Sequence, residues 1–172
     1  MRRLLLLRHA KAAPSAGARD HERALTERGR EDARRIGDLI AARGLVPDLV
    51  IYSSAERTRE TAAIVAANWP RRVASVAEDG LYEATPQFIF MRIRAAPDRA
   101  GATMIVGHNP GIGELAAQLT GGEQDMSRMG GGFPTCGLAA LDFPVEHWAE
   151  VAPRAGRLVG FVTPADLVLR SP

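Results

Sequence analysis

Cysteine, aromatic residues and long apolar runs are all scarce in this chain of 172 residues. Cys136 is the single cysteine, so no intramolecular disulfide can form. It stands in "FPTCGLAALDF", at the expected start of a strand, where a small buried hydrophobe is the simpler reading than a nucleophile or a ligand. Aromatics make up 5% of the residues, too few for the stacking surfaces that hold single-stranded nucleic acid. An excess of one charge is missing too. Against 22 Lys and Arg stand 20 Asp and Glu, a net +2, and the arginines are scattered, so nucleic acid is not an expected partner. Behind Arg2 and Arg3 the apolar stretch Leu4–Leu7 is too short for the core of a signal peptide. No run approaches the ~20 residues of a membrane span. No membrane association is expected, and the cytoplasm is the expected location.

What is present fits an ordinary globular chain: 46% hydrophobic and 24% charged residues, with the length of one domain, 1–172, and of a sizeable core. Arg3–Leu7 is a short continuous apolar run, the pattern of a strand buried on both faces. A polar loop over Ala12–Ala24 follows, carrying Pro14 and Gly17. "LTERGREDARRIGDLIAARG" puts Ala33, Ile36 and Ile40 on one helical face, with Thr26 as cap and Gly44 as stop. Leu49–Tyr52 reads as a second buried strand. Ser54 is the expected N-cap of a helix reaching Asn68, which places Arg57 in its first turn. A weak strand near Ser75–Val76 precedes a helix capped by Thr85, with Pro86 at its first position. "ATMIVGHNPGIGELAAQLTGG" reads as strand, turn and helix, stopping at Gly121–Gly122. Two late strands are expected at roughly Gly137–Phe143 and Leu158–Thr163. Strands interleaved with helices predict an α/β fold, a three-layer αβα sandwich around a mostly parallel sheet. Such sheets bind ligands in the loops beyond the carboxyl ends of their strands.

Three of those strand ends lead to basic side chains: Arg8 and His9, then Arg57, then His108 followed by Asn109 and Pro110. If the strands are parallel neighbours, two arginines and two histidines converge on one sheet edge, which suits an anion with several oxygens. A tetrahedral phosphoryl group fits best. Arg8, Arg57 and His108 can each hold an equatorial oxygen, and Asn109 is a further candidate ligand beside them. His9 offers a nitrogen lone pair that can attack phosphorus opposite the leaving group, and the same donors stabilise the charge of that transition state. Each piece alone has a bland reading. An Arg–His pair can be a solvated strand end, "VGHNPG" only a tight turn capped by His108, and Lys11 a solvated surface residue. For Arg57, a cation in the first turn of a helix is disfavoured by a few tenths of a kcal/mol and nothing local rewards it, so a bound anion stands level with an ordinary surface placement.

The ordered set of segments resembles the histidine phosphatase superfamily, in its SixA-like phosphohistidine phosphatase branch. "LLLLRHAKA" is similar to the RHG-type motif, with Ala10 in the glycine's place, as is usual for that branch. "DHERALTERGREDARRIG" resembles its D-x-x-R-x-L-T-x-x-G-x-x-x-A segment. "SSAERTRETA", "LYEATP" and "VGHNPGIGELAAQLTG" match the later segments, and the final strands fit as well. The resemblance covers nearly the whole chain. It implies a phosphoglycerate mutase-like fold, His9 as the nucleophile that becomes phosphorylated, and Arg8, Arg57 and His108 as the phosphate pocket. It implies no metal and no cofactor. Glu83 in "LYEA" falls where the wider superfamily places the carboxylate that protonates the leaving group, with an ordinary surface glutamate as the alternative.

The expected activity is therefore that of a metal-independent phosphatase acting on phosphohistidine carried by a protein. The alternatives are a phosphomonoesterase for small phosphate esters and a non-catalytic phosphate-binding module. No long insertion separates the motif-bearing segments, so no substantial lid is expected, which disfavours a mutase that must retain its intermediate. A P–N bond to a protonated imidazole also leaves more easily than a P–O bond to an alcohol, which suits a chain with no clearly placed general acid.

Overall fold

The computed structural model describes residues 1–17, 19–120, 129 and 132–168. At its centre runs strand β1, Arg2–Arg8. Leu4, Leu5, Leu6 and Leu7 are all fully buried. Leu4 and Leu6 join one hydrophobic cluster, Leu5 and Leu7 another. Successive strand side chains point to opposite faces, so four leucines in a row are what a strand covered on both sides requires.

The remaining elements, in chain order, are α1 (Glu27–Ala42), β2 (Leu49–Ser53), α2 (Glu56–Ala66), β3 (Ala74–Glu78), α3 (Pro86–Arg94), β4 (Ala102–Gly107), α4 (Gly111–Leu119), β5 (Leu138–Phe143), β6 (Arg157–Val162) and α5 (Pro164–Val168). The six strands form one sheet in the order β3-β2-β4-β1-β5-β6. β3, β2, β4 and β1 pair in parallel, and β5 is antiparallel to both its neighbours. Ala33, Ile36 and Ile40 of α1 and Ala62 and Val65 of α2 bury against one face. Ile89 and Ile93 of α3 with Ile112, Leu115 and Leu119 of α4 bury against the other. This is the expected three-layer αβα sandwich.

The connections create a crevice. β1 and β4 are neighbours, paired from Arg3–Ala102 to Arg8–Gly107. The chain leaving β1 continues to a helix on one face, while the chain leaving β4 continues to a helix on the other. Loops diverging in this way from adjacent parallel strands open a cleft at the carboxyl edge of the sheet.

Local expectations hold where a side chain has no rival partner. Thr26 caps α1 by accepting from the Gly29 amide, Thr85 caps α3 with Pro86 at the first turn, and Gly44 past α1 takes a φ of 64°. They fail where one intervenes. Ser54 is not the cap of α2. Ala55 holds that position without a side-chain bond, because the Ser54 hydroxyl is paired with His21 Nε2 at 3.0 Å. α2 also ends at Ala66, where the Ala67 and Trp69 amides bond back three residues; Asn68 turns to Asp38 instead. Cys136 does not begin a strand. It is buried as expected but lies in a turn with a φ of 59°, and β5 starts two residues later. The expected helix end at Gly121–Gly122 lies outside the described residues. The strand near Ser75–Val76 is β3, an exposed sheet edge.

Candidate active site

The tip of β1 is clamped on both sides. The His9 amide donates to the Gly107 carbonyl of β4 (3.0 Å), the Arg8 amide to Gly137 (3.1 Å), and the Cys136 amide to the carbonyls of Arg8 and His9 (3.1 and 3.0 Å). Ala10 is fully buried, its amide donating to Thr61 Oγ1 of α2 at 3.0 Å. His9 Nδ1 lies 2.8 Å from the Ala10 carbonyl oxygen. That oxygen can only accept, so Nδ1 carries the ring proton and Nε2 is left with its lone pair. Burial pushes the His9 pKa down to about 4, with Arg57, Arg8 and Arg23 adding to it and the carbonyl bond opposing. The imidazole is therefore neutral near pH 7.

The structure brings the other expected residues to this point. The His108 ring lies 5.2 Å from that of His9, centroid to centroid, tilted by 58°. His108 is 5% exposed, and burial, with His9 and Arg57 adding, pushes its pKa down to about 3. Its Nε2 is 2.8 Å from Ser53 Oγ at the end of β2. Arg57, 6% exposed in the first turn of α2, and Arg8 both act electrostatically on His9. Arg8 Nη1 donates to the Phe133 carbonyl at 2.9 Å.

Arg57 is not waiting for an external anion. Its Nη1 donates to the Asp20 carbonyl (2.7 Å) and its Nη2 to Asp20 Oδ2 (3.0 Å). The same carboxylate accepts from the Tyr82 hydroxyl at 2.7 Å and from Arg23 at 2.9 Å. These bonds, Tyr82's first, hold the Asp20 carboxyl far below the usual carboxylate range, so in this arrangement it is a charged anchor and not a proton donor. Tyr82 in turn stands edge-on to His108 at 5.5 Å and to His21 at 5.0 Å, with the Arg57 guanidinium 5.8 Å from its ring. Asp20, Tyr82, His21 and Ser53 escaped the reading of the residues. Asp20 and Arg23 do stand in the D-x-x-R segment, which is the one signal that could have found them.

Asn109 and Glu83 are placed otherwise. The Asn109 amide nitrogen donates to the Phe133 carbonyl at 2.7 Å, the oxygen that Arg8 also uses, which occupies one of its two N–H protons. Glu83 is exposed, in the left-handed region at a φ of 51°, and makes no hydrogen bond or ion pair among the described residues. Lys11 is exposed, while its carbonyl accepts from the Thr26 amide and hydroxyl. Burial pushes the Cys136 thiol well above its ordinary pKa, so it is no nucleophile. No group of three or more His, Cys, Asp or Glu suited to a metal ion occurs among the described residues, and no described helix is long and apolar enough to cross a membrane.

Set beside known proteins, residues 4–85 match the model of the histidine phosphatase superfamily, branch 1. An uncharacterized protein of Mycobacterium tuberculosis (strain CDC 1551 / Oshkosh) is 35% identical over 162 residues, which span 92% of this chain and 99% of that one. Among solved structures, a chain from Agrobacterium tumefaciens assigned as a phosphohistidine phosphatase SixA is 36% identical. It superposes with a TM-score of 0.80 over 95% of this chain and 98% of its own. The protein histidine phosphatase SixA complexed with tungstate is 20% identical, with a TM-score of 0.79 over 96% and 99% of the two chains. At that identity it shows the shared fold alone.

Proposed function

This chain belongs to the histidine phosphatase superfamily, and on that footing we propose that it hydrolyses phosphohistidine on a protein through a phosphorylated His9, without a metal. One observation carries the reading. The neutral His9 imidazole has its Nδ1 proton held by the Ala10 carbonyl at 2.8 Å, so its Nε2 lone pair stands in the field of Arg8 and Arg57 and beside His108.

In the first step Nε2 bonds to phosphorus while the bond from phosphorus to the substrate's imidazole nitrogen breaks. The departing imidazole takes that electron pair and leaves neutral, keeping the proton on its other nitrogen. Charge spreads over the three equatorial oxygens, where Arg8, Arg57 and His108 supply N–H donors. In the second step water attacks phosphorus, the N–P electron pair returns to Nε2, and inorganic phosphate departs. The protein substrate is supported by the likeness to the SixA chain from Agrobacterium tumefaciens and by the state of the acids. Asp20 is committed to three donors and Glu83 to none, so a leaving group that needs little acid help is favoured.

The test is a panel: a phosphohistidine-bearing domain, a phosphoserine peptide and a sugar phosphate. Acid-labile label is expected on His9 after quenching, none in His9→Ala, and full turnover after dialysis against EDTA. Turnover at wild-type rate in His9→Ala would remove the nucleophile assignment. A small ester favoured tenfold in kcat/KM, about 1.4 kcal/mol in transition-state binding, would replace the protein substrate by a metabolite. Binding of phosphate without turnover would leave only a phosphate-binding module.

A further inference from the structure

We infer that Ser53 is a positioning residue: its hydroxyl fixes the tautomer of His108 so that Nδ1, not Nε2, is the nitrogen that donates to the phosphoryl group. The inference rests on the proposed phosphatase reading for the identity of the acceptor, but the tautomer itself does not.

Ser53 closes β2 and is fully buried. Its Oγ accepts from the Ala55 amide at 3.4 Å and lies 2.8 Å from His108 Nε2. A hydroxyl always has one proton to place. With the amide already donating to Oγ, that proton has one acceptor in reach among the described residues, His108 Nε2. A neutral imidazole carries one ring proton, and with Nε2 accepting, the proton sits on Nδ1. The reverse tautomer would aim two protons at each other across 2.8 Å, or turn the buried hydroxyl proton away with nowhere to bond.

His108 Nδ1 is buried and has no hydrogen-bond partner among the described residues. A buried N–H without an acceptor is costly, and the ring that carries it stands beside the nucleophile. The acceptor that completes it is a phosphoryl oxygen held for transfer to His9. In the opposite tautomer Nδ1 would present a lone pair to that oxygen and repel it. Ser53 thus decides whether His108 is a donor at all, acting through that ring. The groups around the ring agree with a neutral donor. His9, Arg57 and His21 all disfavour a second proton on His108, Asp20 favours one, and burial outweighs it; the uncharged Tyr82 ring stands edge-on to it at 5.5 Å.

Nitrogen-15 labelling of histidine tests this in the full chain, where only four histidines contribute. Between pH 6 and 8 the wild type should show His108 with a protonated Nδ1 and a bare Nε2. In Ser53→Ala the two signals should move toward a mixture. Its kcat on the phosphohistidine domain should fall about tenfold to a hundredfold, as when a donor at the transition state is misdirected, with KM changed far less. Ser53→Thr keeps the hydroxyl and should restore both readouts. A protonated Nε2 in the wild type overturns the inference without any variant. So does a Ser53→Ala protein that melts lower yet keeps both tautomer and kcat, since that is the signature of a purely structural serine. A wild type inactive on every phosphate but with Nδ1 protonated would instead overturn the phosphatase reading and leave the tautomer standing.

Discussion

A guanidinium at the start of a helix sits against the positive end of the helix dipole. Arg57 is stable there because Asp20 supplies a carboxylate and a carbonyl to its two terminal nitrogens. On the proposed reading, the phosphoryl group supplies the second anion in turnover. Arg57→Ala should therefore lower kcat/KM by about 10²–10³, roughly 2.7–4 kcal/mol, as for removal of one charge-stabilising donor. Its melting curve should stay close to wild type, because the bonds it gives up go to a half-exposed partner. Steady-state kinetics beside a circular-dichroism melt separates the two effects; a loss under tenfold would place Arg57 away from the transferred group. Arg8, His9 and His108 were legible because each stands just past an apolar run, and Arg57 because a cation in a first helical turn calls for a partner. Ser53 was not. A small polar residue closing a strand looks the same whether it serves a neighbour or only fills space, and its partner lies 55 residues away.

Among the elements, the connection from β1 to α1 is the part that sequence patterning described least. It reads as a polar loop, yet it is anchored at both ends. The Ala13 amide donates to Ala24 and the Thr26 amide to Lys11. Gly29 of α1 passes so close to the Lys11 backbone that a Cβ would lie 2.2 Å from its carbonyl oxygen, which gives the glycine of the T-x-x-G segment a steric reason. Between these anchors a short turn over Asp20–Glu22 carries Asp20 to Arg57. A carboxylate one hydrogen bond from Arg57 opposes a phosphate dianion arriving at the same cation, and it also holds Arg57 and Tyr82 in place. Asp20→Ala should accordingly show two opposite changes: inorganic phosphate inhibits at severalfold lower concentration, and kcat falls. Phosphate inhibition measured against the phosphohistidine domain checks both; phosphate binding that weakens in the variant would mean that Asp20 acts only as an anchor. The misplaced cap at Ser54 belongs to this loop too, since its hydroxyl is drawn to His21, a partner that local patterning around Ser54 does not contain.

At the scale of the molecule, two imidazoles at one sheet edge, His108 buried and His9 half-buried, tie stability to pH. Their folded pKa values lie near 4 for His9 and near 3 for His108, below the ordinary 6.5. As pH falls below about 6.5 the unfolded chain binds protons that the folded chain refuses, so stability is full above that value and is lost toward pH 4. Between pH 7 and 5 each histidine should cost about 1–2 kcal/mol. Urea midpoints at the two pH values should fall on acidification, and less steeply in His9→Asn; equal slopes would mean that His9 is not buried as a neutral ring. The sequence by itself determined the alternation of elements, the doubly covered central strand and the set of basic residues at strand ends, because those follow from periods of two and 3.6 residues and from capping chemistry between near neighbours. Tertiary structure alone decided that β4 inserts between β2 and β1, so that helices leave adjacent strands on opposite faces and open the crevice. It alone decided which anion meets Arg57, which nitrogen of His9 is bare and which residue orients His108. Those are contacts between residues far apart in the chain, set by strand order and by the search of each buried proton for an acceptor, and no local pattern carries them.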